Sequence, residues 1–248
     1  MANHDLIVEN LSKSFPGRGT ILKNVSLNVP QGQALAIVGG NGSGKSTLLR
    51  CCLRLVEPDS GKILLLDQNV CCLTRKKLRK LRARVGFIFQ KHNLVGRLSV
   101  LTNVIHGGLA NRNSPLLWRQ CAAPNEIRLE AMNCLERVGL AHLADSLACQ
   151  LSGGESQRVA IARVLMQQPQ VVIADEPTAS LDPKVGDEIM DLLFNLTRGD
   201  GLTLVHVSHN LEQSCRYSDR IVGLRNHMVE LDSAATEACP HELGKIYA

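Results

Sequence analysis

Aromatic residues are scarce in this sequence: one tryptophan, two tyrosines and four phenylalanines, 3% of 248 positions. With so few rings to stack bases on, a nucleic-acid partner is not expected. No apolar run approaches the roughly 20 residues that a membrane-spanning helix needs. The opening residues, MANHDLIVEN, lack a basic start followed by an apolar stretch, which argues against a secretory signal. Nor do the nine cysteines show metal-binding or redox spacing, since Cys51-Cys52 and Cys71-Cys72 are adjacent pairs rather than C-x-x-C. Their odd number argues against a complete disulfide framework. They are expected as small buried apolar residues in a reducing compartment.

Neither positive nor negative charge predominates over most of the chain. The formal charge of +5 comes from "RKKLRKLRAR" (75–84), seven basic residues with no acid; outside it 21 basic residues face 23 acidic ones. A solvated helix face is the first reading of this run. Contact with lipid or a partner is the next, and nucleic acid the least favoured.

What is present is an alternation of elements. Short β-like runs recur at 6–8, 25–29, 34–38, 62–66, 85–89, 171–174, 202–207 and 220–224. Several are continuously apolar, the pattern of strands covered on both faces of a parallel sheet. Helical patterns at 45–54, 184–197 and 210–217 fall between them, so the core is α/β. From about 91 to 168 there is no convincing strand, only helical stretches separated by "NRNSP" (111–115) and "CAAPN" (121–125). This interval is expected to be a helical subdomain inserted into the α/β core.

"ALAIVGGNGSGKSTLLR" (34–50) reads as strand, glycine-rich turn and helix, and 39–46 match G-x-x-x-x-G-K-[ST] in full. The glycines, Gly39, Gly40, Gly42 and Gly44, let the loop fold around phosphates. Its N–H groups, those of Asn41 and Ser43 included, then point inward at a helix N-terminus. Lys45 is placed to reach the β- and γ-phosphates, Ser46 to ligate Mg²⁺, and Thr47 to touch the phosphate nearer the sugar. The pattern implies a bound nucleoside triphosphate.

A second buried-strand pattern, "VVIADEPTASLD" (171–182), ends in two carboxylates. Asp175 is expected to hold Mg²⁺ opposite the phosphate loop, and Glu176 to act as general base on the attacking water. His209 lies just beyond the strand 202–207, where parallel sheets bind ligands; His206, inside that strand, is expected to be packed. Gln90, closing the strand 85–89, is similarly placed to ligate Mg²⁺ or orient water. "LSGGESQRVAIARVLM" (151–166) opens a helix on Ser152, Gly153 and Gly154, a poor start unless something approaches the backbone closely there.

Together these segments resemble the ATP-binding-cassette (ABC) ATPases over essentially the whole chain. GGNGSGKST is similar to the Walker A loop, Gln90 to the Q-loop, LSGGE to the signature, VVIADE to Walker B, SLD (180–182) to the D-loop and His209 to the switch histidine. Phe15 matches the aromatic position that stacks on adenine. The resemblance implies a RecA-like P-loop core over 1–90 and 168–248, an N-terminal antiparallel β layer, and a helical signature subdomain over 91–167 of one ABC domain. It further implies a homodimer in which Ser152, Gly153, Gly154 and Glu155 cap the ATP held by the other subunit, with Asp182 coupling the two sites.

With no membrane segment, transport would require separate permease subunits and an external substrate-binding protein, the chain sitting on the cytoplasmic face of the cell membrane. One cassette and no heptad run set it apart from the ABC proteins of DNA repair and translation. Finer likeness, in "FIFQKHNLVGRLSVLTNVIHGGL" (87–109), "SPLLWR" (114–119) and "CRYSDRIVGLR" (215–225), is to the phosphonate-import ATPases. An exporter ATPase of the lipoprotein or peptide type and a soluble ABC regulator stay as alternatives, as do phosphite or phosphate as cargo. Glu155 where glutamine is commoner and Gly40 in the loop depart from the pattern without removing a catalytic group.

Overall fold

The computed structural model of the chain describes residues 3–112, 114–238 and 246. Two sheets form its frame. The first is antiparallel: β1 (His4–Phe15) lies between β2 (Gly19–Pro30) and β4 (Ser60–Leu65), and β5 (Gln68–Asn69) extends it, in the order β2-β1-β4-β5. The second runs β10 (Met228–Ala234), β9 (Arg220–Arg225), β3 (Ala34–Val38), β8 (Thr203–Val207), β7 (Val171–Asp175), β6 (Val85–Ile88). Its strands are parallel except for β10, which closes one edge antiparallel to β9.

The apolar runs explain this arrangement. Every residue of β3, β7 and β8 is buried, so both faces of the sheet centre are covered. Leu35, Ile37, Ile173 and Val205 point into one core, shared with Leu48 and Leu49 of α1 (Lys45–Cys52) and with Leu6, Leu11 and Leu22 of the antiparallel sheet. Ala34, Val172, Ala174 and Leu204 point into the other. That core is shared with α5 (Gly153–Met166) and α6 (Pro183–Gly199), through Ile161 and Ile189 among others. Between β6 and β7 the described residues hold α3 (Val100–Ile105), α4 (Asn125–Arg137) and α5 with short 3₁₀ turns, and only an isolated bridge, Ser99 to Leu147, as β structure. α2 (Arg75–Arg82) and α7 (Leu211–Arg216) complete the set.

Several expected elements change length. The short runs at 6–8 and 25–29 belong to strands of twelve residues each, because antiparallel pairing carries polar residues such as Lys13 and Asn24 along with the apolar ones. β10 was invisible to an apolar scan: its residues alternate between exposed and half-buried, and pairing with β9 holds it in place. The cysteines correct an expectation. Cys51, Cys52 and Cys134 are buried, but Cys71 and Cys215 are half-buried and Cys72, Cys121 and Cys149 are exposed. Those three exposed thiols sit in 3₁₀ turns at Val70–Cys72, Gln120–Ala122 and Ala148–Gln150, where the chain runs over the surface. Cys239, Asn113 of the 111–115 separator and most of the chain's tail lie outside the described residues.

Candidate functional site

β3 delivers the phosphate loop at the carboxyl edge of the parallel sheet, where α1 begins. Two glycines there have no substitute. Gly39 has φ +152, and a Cβ would stand 2.3 Å from the Leu224 carbonyl oxygen. Gly44, the N-cap of α1, has φ +103, and a Cβ would stand 2.5 Å from the Ile21 carbonyl oxygen. Loop, sheet edge and β2 are therefore wedged together, with the first N–H groups of α1 aimed outward.

Lys45 is 5% exposed and folds back over the loop, its Nζ donating to the carbonyls of Gly39 at 2.8 Å and Gly40 at 2.9 Å. Burial pulls its pKa down, opposed by the charges of Glu176 and Asp175. A phosphate entering the loop would offer this ammonium stronger acceptors than two neutral carbonyls. Around it is a cleft of about 220 Å³ lined by Asn41, Gly42, Gly44, Lys45, Ser46 and Thr47, with Phe15 at the end of β1, Arg18, Ile21 and Glu176. Phe15, expected on the resemblance alone, thus shares a cleft with a loop distant from it in sequence.

Ser46 Oγ donates to Asp175 Oδ1 at 2.7 Å, so the two expected metal ligands face each other across the end of β7. Burial raises the Asp175 pKa; the Ser46 hydrogen bond and Arg50, whose guanidinium is 3.7 Å away, oppose it. A hydroxyl and a carboxylate are hard oxygen donors and fit a Mg²⁺ that takes its remaining ligands from phosphates and water. Arg50 escaped the sequence reading because an arginine at a helix C-terminus ordinarily signals dipole compensation only.

Glu176 follows β7 with φ +52, the left-handed region, at a cost on the order of 1–3 kcal/mol that the surroundings must hold. This turn aims its carboxylate at His209, whose Nε2 lies 2.5 Å from Glu176 Oε1. His209 stands two residues beyond β8, adjacent to β7 in the sheet, so a parallel pairing brings together residues 33 apart. Glu176 also lines a second hollow, of about 270 Å³, with Asp182, Ser208, His209 and Gln213. Gln90 is exposed beyond the end of β6 and makes no hydrogen bond to Ser46, Asp175 or Glu176. His206 is fully buried, as expected.

The signature helix opens with a capping box. Ser152 Oγ accepts from Glu155 N at 3.3 Å, and Glu155 Oε2 accepts from Ser152 N at 2.8 Å and from Ser152 Oγ at 2.7 Å. Glu155 therefore serves its own helix first, its pKa lowered by the Ser152 hydroxyl and backbone bonds. The glycines also have an internal reason. A Cβ on Gly154 would lie 2.7 Å from Val185 Cγ1, and one on Gly153 would lie 3.0 Å from Leu181 Cδ2. Bare backbone is needed here for α5 to pack against the start of α6, whatever else approaches. Asp182 likewise caps α6 by accepting from Val185 N at 3.2 Å. None of residues 152–155 lines the phosphate cleft of its own chain.

A further cleft, about 500 Å³ and unforeseen in the sequence, lies where the helices after β6 meet the core. Leu55, Phe87, Phe89, Leu109 and Val164 give it an apolar lining, and Arg79 and Arg82 belong to its wall. The Phe87 and Phe89 rings lie 4.3 Å apart. No predicted nucleotide-site residue takes part.

A family model described as ABC transporter matches residues 22–179. A phosphonates import ATP-binding protein (PhnC 1) of Ruegeria sp. strain TM1040 is 42% identical, over 98% of this chain and 94% of that protein. One from Alcaligenes faecalis is 43% identical, over 98% and 87%. Among solved structures, cbiO1 of Clostridium perfringens, part of the cbiONQ ABC transporter complex, superposes with TM-score 0.83 at 34% identity, over 95% of this chain and 90% of that one. The ATP-binding cassette MJ0796, in a dimeric post-hydrolysis state bound to ADP and Pi, superposes with TM-score 0.79 at 36% identity, over 93% and 98%. The family match over residues 22–179 and the identity to these relatives across nearly the full chain show that it belongs to the ABC transporter family, as one of its ATPases.

Proposed function

We propose that this chain energises a phosphonate importer: a homodimer of ATPase subunits on the cytoplasmic face of the cell membrane, working with permease subunits and an extracytoplasmic binding protein. The observation that carries the cargo is identity of 41–43% to a series of phosphonates import ATP-binding proteins, each matched over at least 94% of this chain. Within the chain, 91–167 acts as the helical signature subdomain and 1–90 with 168–248 as the nucleotide-binding core. The cleft beside Phe87 and Phe89 receives a permease segment, since it is roomy, mostly apolar with basic groups in its wall, and distinct from the nucleotide cleft.

In the mechanism, the loop N–H groups of 39–47 and Lys45 bind the phosphates, and Phe15 stacks on the base. Ser46 and Asp175, with Gln90 if it turned inward, would hold Mg²⁺, which would supply positive charge against the phosphates. Glu176 orients a water in line with the γ-phosphate and takes its proton at Oε1 or Oε2. His209 holds that carboxylate through its Nε2 contact, so the base is positioned before substrate arrives. Ser152, Gly153, Gly154 and Glu155 present a capped helix N-terminus to the ATP of the other subunit, and Asp182 links the sites. Their absence from the phosphate cleft of their own chain supports a role in trans.

The test is uptake of labelled 2-aminoethylphosphonate by phosphorus-starved cells carrying the parental gene or Glu176→Gln. Loss of uptake in the variant alone, with phosphate uptake intact, is the expected result. Unchanged uptake with ATPase activity lost in the purified variant would discard phosphonate as cargo and move the search to phosphite and related anions.

A further inference from the structure

The nucleotide chemistry leaves the basic run at 75–84 unused, and the structure divides its seven cations into two groups. Arg82 and Arg84 are tied to neighbouring residues. Arg82 donates from Nε to the Leu53 carbonyl at 2.8 Å and from Nη2 to the Arg54 carbonyl at 2.7 Å, and Arg84 donates from Nε to Gln170 Oε1 at 3.0 Å. Arg75, Lys76, Lys77, Arg79 and Lys80 are exposed, and among the described residues their side chains make no hydrogen bond or ion pair. Leu78 and Leu81, 8% and 1% exposed, pin α2 to the core, which turns those five cations outward.

This face gathers unpaired cations in one place. Elsewhere several arginines are matched to acids, as in Arg112–Glu130, Arg137–Asp200, Arg158–Glu188 and Arg220–Asp232, and exposed cations without an ion pair, such as Arg18, Arg97 and Lys184, are scattered along the chain. On α2, Arg75 with Arg79 and Lys76 with Lys80 place like charges four apart, an arrangement that weakens a helix. Arg79 and Lys80, in the last turn, favour the helix dipole, but Arg75, Lys76 and Lys77 in the first turn oppose it, so helix stability does not account for the pattern as a whole. Arg79 also belongs to the wall of the apolar cleft, so the charged face and the cleft are neighbours.

We propose that the outer face of α2 rests on anionic phospholipid headgroups when the adjoining cleft is engaged by a membrane-embedded partner. The inference rests on reading that cleft as the permease-facing side. Lipid fits better than an acidic protein segment, because three of the five cations are lysines, hydrated point charges on flexible stems, and none is held in a fixed geometry. Such side chains suit a fluid layer of phosphates, and each contributes when it lies within about 10 Å of the surface.

The purified chain is mixed at low salt with vesicles of phosphatidylcholine alone or with about one third phosphatidylglycerol, then sedimented. Parental protein is expected to bind the anionic vesicles and not the neutral ones. Lys76→Gln/Lys77→Gln/Lys80→Gln should lower the partition coefficient by about 100-fold, roughly fivefold per lysine, while its ATP hydrolysis in solution stays at the parental rate. A charge-matched control, Lys23→Gln/Lys62→Gln/Lys184→Gln, should keep parental binding. Equal binding of the triple variant and the parent, or no preference of the parent for anionic vesicles, overturns the assignment. Binding of the parent to soluble polyglutamate but not to vesicles also overturns it and gives the face to an acidic protein segment. Neither permease nor phosphonate enters this assay, so its failure leaves the importer reading standing on the uptake experiment.

Discussion

Acidification acts on the central sheet of this ATPase through His206. Its side chain is fully buried in β8, and among the described residues neither ring nitrogen makes a well-formed hydrogen bond. Burial pushes its pKa down to about 4, against a smaller opposing pull from the Tyr217 backbone. The unfolded chain takes up this proton near pH ~6.5, as an ordinary histidine does. Between the two values the unfolded state binds more protons, so stability falls as pH falls; above about 6.5 the term is fully favourable. At about 1.4 kcal/mol per unit, the loss reaches about 2 kcal/mol at pH 5 and about 3 kcal/mol near pH 4. Urea unfolding followed by circular dichroism at pH 7.5 and pH 5 measures it, comparing the parent with His206→Leu. The variant should lose about 2 kcal/mol less than the parent between those pH values. Parallel losses in the two proteins would refute the reasoning, as would an NMR titration placing the His206 midpoint at or above pH 6.

Three further outcomes follow from the site. Glu176→Gln is expected to cut ATP hydrolysis by about 10²- to 10⁴-fold while nucleotide binding persists, and gel filtration with ATP should show a dimer; hydrolysis at the parental rate removes Glu176 as general base. Gly154→Ala forces a methyl against Val185 and should cost about 1–3 kcal/mol in thermal unfolding, with Gly154→Ala/Val185→Ala recovering most of it. If Val185→Ala gives no recovery, the glycine is not there for the α5–α6 contact. Ser152→Ala should destabilise by about 1 kcal/mol through the lost cap, whereas Glu155→Gln, which still offers an acceptor to Ser152 N, should unfold at nearly the parental temperature.

Local chemistry made much of this protein legible from its residues. A loop that must wrap phosphates needs glycines at fixed offsets and a lysine, so 39–46 carry their meaning without any neighbour. Strands buried on both faces must be apolar throughout, so β3, β7 and β8 stood out by composition. Asp175 and Glu176 followed from their place at the end of such a strand. The capped start at Ser152 was equally local, since its partner Glu155 is three residues away.

Pairing and packing decided the rest. Whether Glu176 meets His209 depends on β7 lying beside β8, a choice of strand order that no residue in either segment encodes alone. Gly153 and Gly154 looked like a surface for a ligand, and only the approach of α6 showed that Leu181 and Val185 already need that space. β10 and the long arms of β1 and β2 are too polar to declare themselves; backbone pairing with a neighbour makes them strands. The seven cations of 75–84 read alike in the sequence, and the folded chain sorted them into two bonded to neighbouring residues and five left to solvent. Residue type dictated which groups could do chemistry, because phosphate, metal and proton each demand particular atoms. Which of those atoms meet was set by strand order and helix packing, because contacts between distant residues exist only after the chain has closed on itself.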